Sequence, residues 1–144
     1  MKLKLDVSDM AAGFFEDAHL LGIVAPIRDY QFCWQLNQQF RFRFRINNDI
    51  EIQLTKRNRN YYFPIFEYQE PNQFYSHFLY KNQNDGEYLL PEFKHLDFLW
   101  LIKGDEVSST LIGEIQQSIR SINGVQLVIE LTNEKIKNKE HLIF

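Results

Sequence analysis

The stretch Leu89-Leu90-Pro91-Glu92-Phe93-Lys94-His95-Leu96-Asp97-Phe98-Leu99-Trp100-Leu101-Ile102-Lys103-Gly104 decides the fold. Phe98 to Ile102 is apolar at every position, the pattern of a strand covered on both faces. Lys103-Gly104-Asp105 reads as a turn, and Ser108 or Ser109 is placed to cap a following helix. In that helix Leu111, Ile115, Ile119 and Ile122 recur every three or four residues and define one buried stripe. Asn123-Gly124 stops it, since both residues tolerate the left-handed conformation of a helix end. Val125, Leu127, Ile129 and Leu131 alternate with Gln126 and Glu130 as a half-exposed strand. The order is strand, helix, strand.

The same plan appears earlier. Leu20 to Ala25 is a continuous apolar run. Pro26 suits a first helical position and Asp29 a first turn. Ile27, Tyr30, Cys33, Trp34, Leu36 and Phe40 form the expected stripe of a helix. Arg41-Phe42-Arg43-Phe44-Arg45-Ile46 then alternates as a strand, with its arginines wet and its phenylalanines facing the core. Two strand-helix-strand units predict an α+β fold of the ferredoxin-like (split βαβ) kind, an antiparallel sheet with both main helices on one face.

Between the units, Ile50, Ile52 and Leu54 alternate with polar residues, and Tyr61 to Tyr68 and Phe74 to Tyr80 are further β-rich runs. Glu70-Pro71-Asn72 and Asn82 to Gly86 read as turns. This region is expected to be an inserted antiparallel meander widening the sheet. Leu3, Leu5 and Val7 are expected to add an N-terminal strand. The chain reads as one domain over residues 1–144, a length sufficient for a single core.

Composition narrows the function classes. A 44% hydrophobic and 24% charged chain with net charge −3 is an ordinary globular protein and a poor general nucleic-acid binder. One cysteine, Cys33, excludes an internal disulfide and suits a reducing compartment. Asp6 and Asp9 interrupt any apolar export segment, and no apolar run approaches a bilayer crossing. A cytoplasmic protein without membrane contact is expected.

No phosphate loop, nucleophile elbow, zinc-protease motif or paired cysteines are present, so no catalytic residue, metal or cofactor is assigned. Three groups are candidates for binding. Glu92, His95 and Asp97, with Lys94, form a polar cluster; His95 and Asp97 share a side if the strand already begins there. The alternative is a structural polar lip at the start of a central strand. Arg41, Arg43 and Arg45 open a basic segment that continues through Lys56, Arg57 and Arg59, opposed only by Asp49 and Glu51. It could meet phosphates, or simply solubilise an outer strand. The aromatics from Tyr61 to Tyr80 are either core or partner surface.

Leu90-Pro91-Glu92 leading to Leu96-Asp97-Phe98, together with Lys137 to Phe144, resembles the bacterial IPExxVDY family of uncharacterised proteins. Arg28-Asp29-Tyr30 and Gln35-Leu36-Asn37 are also similar to that family's first helix. Leu90, Leu96 and Phe98 stand where the family name has Ile, Val and Tyr, and three residues rather than two separate Glu92 from Leu96. The resemblance implies a compact bacterial protein and carries no activity, substrate or cofactor. The leading expectation is therefore a non-enzymatic protein-binding or adaptor domain, with a protein partner or a homo-oligomer. The alternatives are an ACT-like small-ligand regulatory module, binding near Val24-Ala25-Pro26-Ile27, and an RNA-associated protein using Arg41 to Arg59. An enzyme would need Glu92, His95 and Asp97 gathered in one pocket.

Overall fold

Along the chain, the computed structural model places strand β1 (Ala18–Val24), helix α1 (Asp29–Phe40), strands β2 (Arg45–Lys56), β3 (Arg59–Gln69) and β4 (Tyr75–Lys81). A two-residue ladder of β5 (Gln83–Asn84) and β6 (Glu87–Tyr88) follows, then β7 (Phe98–Gly104), helix α2 (Ser109–Arg120) and β8 (Leu127–Leu131). Residues 13–144 are described, apart from 72 and 106. The strand expected on Leu3, Leu5 and Val7 lies outside the described residues.

Six strands make one sheet in the order β2-β3-β4-β7-β1-β8, and every neighbouring pair is antiparallel. The apolar runs of the sequence are its interior: β7 lies between β4 and β1, and β1 between β7 and β8. Both helices pack on one face. Phe32, Cys33 and Leu36 of α1 and Ile112, Ile115 and Ile119 of α2 bury Leu21, Ile23, Phe98, Trp100 and Ile102. The opposite face carries Leu20, Phe63, Ile65, Tyr80, Leu99 and Leu101 and meets neither α1 nor α2. Leu89, Leu90 and Leu96 cover it together with Ile136 and Leu142 from the end of the chain. Each side chain so buried contributes about 1.5–3 kcal/mol. Covering both faces is what makes β7 apolar from Phe98 to Ile102. Gly22 in β1 has a packing role here: a Cβ would lie 2.5 Å from the Leu96 side chain that seats on it.

Helix α2 follows its pattern. Ser108 is the N-cap, its Oγ accepting from Leu111 N at 3.1 Å, but the helix ends at Arg120 on a right-handed cap at Ser121, before Gly124 with its φ of +100°. Ile112 rather than Leu111 completes the buried row.

The first unit departs from expectation at three places. Pro26 precedes the helix, which starts at Asp29. Phe32 is fully buried, whereas Tyr30 and Trp34 point outward. The residues from Arg41 to Phe44 belong to no strand, although their alternation of burial is as expected. The reason lies in the hydrogen bonds. Arg41 turns the chain with φ 59°, and the Asn37 side chain then takes both backbone groups of Phe44: Nδ2 donates to its carbonyl at 3.0 Å and Oδ1 accepts from its N–H at 2.9 Å. A side chain replaces the sheet partner, so pairing begins only at Arg45.

Strand β2 then runs to the outer edge and pairs with β3 alone. Arg57 and Asn58, both with positive φ, form the two-residue turn that right-handed strand twist favours. Asp85-Gly86 repeats the device between β5 and β6. Of the nine meander aromatics, Phe63, Tyr68 and Tyr80 are buried, Tyr61, Phe66, Tyr75 and Phe78 pack partly buried against the core, and Tyr62 and Phe74 are exposed.

Candidate functional site

The polar cluster is brought into contact with other segments and not with itself. Glu92 reaches the end of the chain, accepting from Lys137 N at 2.6 Å, Asn138 N at 2.9 Å and Asn138 Nδ2 at 2.8 Å. Burial pushes its carboxyl up, but the Asn138 amide and these backbone donors outweigh that and hold it below the usual carboxylate range. Asp97 accepts from Ala25 N at 2.8 Å, and its backbone N–H donates to Ile23 O. His95 is exposed beside Phe93, and its ring makes no hydrogen bond among the described residues. Glu92 and Asp97 form a polar lip tied to other segments, and His95, among the described residues, joins neither.

The residue that completes this lip is Asn82, one of only two buried polar side chains among the described residues. Its Nδ2 donates to Phe93 O and Leu96 O at 2.9 and 3.0 Å, and its Oδ1 accepts from Leu90 N at 2.9 Å. In sequence it sits among turn residues, and nothing local distinguishes it from Asn84.

The other is His77 on β4. Trp100 Nε1 donates to its Nδ1 at 3.0 Å, which places the imidazole proton on Nε2. Among the described residues that atom has no hydrogen-bond partner, and Glu70 Oε1 is 3.8 Å away. Tyr68 stacks on the ring at 5.6 Å and 12°, with Phe42, Phe44 and Trp100 around it. Burial lowers the His77 pKa to about 4. Tyr68 donates its hydroxyl to Glu70 Oε2 at 3.0 Å, and burial followed by this bond raises its pKa to about 12.

The basic segment divides. Lys56 pairs with Glu87 at 3.0 Å, and Arg59 pairs with Asp85 and covers the Tyr61 ring. Arg45 opens β2 and Arg43 precedes it, roughly 26 Å from Lys56 by the register on β3. There, among the described residues, neither forms an ion pair. Together with Glu67, Tyr68, Gln69, Pro71 and Ser76 they line an open cleft of about 460 Å³. Arg41 is exposed behind them, at the end of α1, outside the cleft lining.

A third surface had no forerunner among the sequence candidates. Trp34 is 64% exposed and Tyr30 58% exposed, one helical turn apart on the outer side of α1. With Gln31, Gln35, Gln39 and Asn123 they border a shallow groove. Its only signal was an aromatic content too high for one helix stripe.

Cys33 is buried against the sheet, and burial followed by Asp29 pushes its thiol up to about 12, which removes it as a nucleophile. Among the described residues no group of three or more His, Cys, Asp and Glu side chains could hold a metal ion, and no helix is long and apolar enough to cross a membrane. No protein-family model matches the chain, and no curated protein matches it.

Proposed function

We propose that this chain is a non-enzymatic protein-binding domain whose working surface is the outer face of α1, and whose partner there is a second copy of itself. The exposure of Trp34 and Tyr30 side by side carries the reading. Large aromatics are enriched where proteins bind one another, and a solvated Trp loses the most on staying uncovered.

Charge points to the second copy. The outer face runs Tyr30, Gln31, Trp34, Gln35, Gln38 and Gln39, without a charged side chain. In a two-fold contact each patch meets itself, so a charged face would oppose like to like and this one does not. Trp34 is near the middle of the Asp29–Phe40 helix. Antiparallel pairing about it sets Trp34 near its twin, Tyr30 near Gln38, and the positive helix end of one copy against the negative end of the other.

The strand order supports a split βαβ reading of the scaffold, with β8-β1-β7-β4 as its four strands and the β2–β3 hairpin as the insertion. On this reading β4, rather than the strand after α1, closes the first unit. The IPExxVDY resemblance belongs to the same proposal, because Glu92 and the Lys137 to Phe144 segment that carry it are in contact. The buried thiol of Cys33 fits a cytoplasmic setting.

Sedimentation velocity tests the proposal directly. The wild-type chain is expected to dimerise at concentrations up to about 100 µM, a weak but specific range. Trp34→Lys should shift it to monomer with unchanged circular dichroism, since Trp34 is largely exposed in the isolated fold. A wild-type chain that stays monomeric across that range, or a Trp34→Lys variant that still dimerises, overturns it.

A further inference from the structure

The cleft at the open end of the β3–β4 pair has a charge pattern that the α1 surface lacks. Arg45 lies opposite Glu67 in the β2–β3 register, and Gln69 lies opposite Ser76 in the β3–β4 register. Strand alternation therefore puts Arg45, Glu67, Gln69 and Ser76 on one face. Arg43 arrives from the extended segment after α1, close enough to Tyr68 for its charge to act on the hydroxyl. The cleft lining carries two cations, Arg43 and Arg45, and one anion, Glu67. Glu67 makes no ion pair with Arg45 although the two are cross-strand neighbours. Glu70, the other nearby carboxylate, is engaged by Tyr68 at 3.0 Å.

Unpaired guanidiniums recognise carboxylates through two parallel N–H···O bonds, and a carboxylate in the same cleft recognises an ammonium. A simple anion would satisfy the arginines and be repelled by Glu67. A neutral amino acid would leave one arginine without a partner. The complementary ligand has two carboxylates and one ammonium. The volume, about 460 Å³, lies within the range of small-molecule sites. Ser76 and Gln69 add uncharged hydrogen-bonding groups at the rim.

We infer that this cleft binds a free acidic α-amino acid, aspartate or glutamate, with Arg43 and Arg45 holding its carboxylates and Glu67 its ammonium. This site is independent of the α1 surface, and it stands whether or not the chain dimerises.

Isothermal titration calorimetry on the full chain separates the possibilities. L-Glutamate and L-aspartate are the probes, with L-glutamine, glutarate and inorganic phosphate as comparisons. One or both acidic amino acids should bind at least tenfold more tightly than any comparison. Arg45→Met and Arg43→Met should each weaken that binding at least tenfold. Glu67→Gln should weaken the amino acids while leaving glutarate equal or tighter, a reversal that simple damage to the fold does not produce. Circular dichroism of each variant confirms folding, and all three positions are on the surface strands or their approach. The inference is overturned if neither amino acid binds at 10 mM, roughly the weakest affinity worth the name. It is equally overturned if glutarate or phosphate binds as well as glutamate, which would make the cleft a general anion patch, or if Glu67→Gln changes nothing.

Discussion

At the scale of single residues, His77 makes a sharp claim. In the folded chain its imidazole is neutral, accepts from Trp100 and has a pKa of about 4 in place of 6.5. Between about pH 6.5 and pH 4 the unfolded chain therefore binds more protons than the folded one, and stability falls as the pH drops through that window. The full difference is about 3 kcal/mol. Protonation also destroys the acceptor for the Trp100 indole, which reinforces the loss, while Glu70 at 3.8 Å opposes it. Urea unfolding at pH 7, 5.5 and 4.5 should show this fall in the wild type. His77→Gln, which keeps an acceptor for the indole but cannot titrate, should be less stable at pH 7 and flatter below it. Equal slopes for the two chains would remove His77 as the cause. None of this could be read from the sequence, where His77 sits in an alternating strand with its partners, Trp100 and Glu70, on other elements. The same holds for the polar motif. Its residues were visible as a cluster, but Asp97 meets Ala25 across 72 positions and Glu92 meets Asn138 across 46.

At the scale of elements, legibility depended on whether one pattern or two competed for the same helix. The buried residues of α2 fall on one side, and the periodicity named Ile115 and Ile119 correctly, with Ile122 buried just past the helix end. Helix α1 offers Tyr30 and Trp34 on one flank and Phe32 and Leu36 on another, with Cys33 between, so periodicity alone admits either flank as the buried one. The sheet chose Phe32, whose ring packs 4.8 Å from that of Phe98. Arg41 to Phe44 shows the complementary lesson: alternation reported which side chains are wet, but the backbone partner is Asn37 rather than a strand. These assignments predict distinct costs. Ile119→Ala removes methyl groups from a fully buried site and should cost about 2–5 kcal/mol. Arg43→Ala, on an exposed segment with no ion pair among the described residues, should stay within about 0.5 kcal/mol of wild type. Urea midpoints for the two variants check the pair. Comparable losses would mean that Arg43 is held by contacts the fold does not show.

At the scale of the whole molecule, one face of the sheet is closed by α1 and α2 and the other, among the described residues, mainly by loops and short 3-10 turns. That second cover was the least legible part of the fold, because Leu89, Leu90, Leu96, Ile136 and Leu142 follow no period and only tertiary contact assembles them. Polar ties substitute for periodic structure: Asn82 to the backbone at Leu90, Phe93 and Leu96, Tyr80 Oη to Leu142 O at 2.8 Å, and Glu92 to Lys137 and Asn138. Glu92 is the tie that joins the two halves of the cover. Glu92→Ala leaves the Lys137 and Asn138 amides without their acceptor and should cost about 1–3 kcal/mol. The loss should be local, because the helical face shares none of these bonds and regions of a fold open separately when their contacts are separate. Hydrogen exchange should therefore accelerate across residues 136–144 and around 89–96, while α2 and β7 keep their protection. Acid should act in the same direction: the folded Glu92 carboxyl is held below its ordinary range, so its contribution is complete above the unfolded value and is lost as the pH falls through the folded one. Unchanged exchange over 136–144 in Glu92→Ala would show that Ile136 and Leu142 hold the cover by burial alone. Acceleration spread evenly over both faces would show instead that the two covers unfold as one unit.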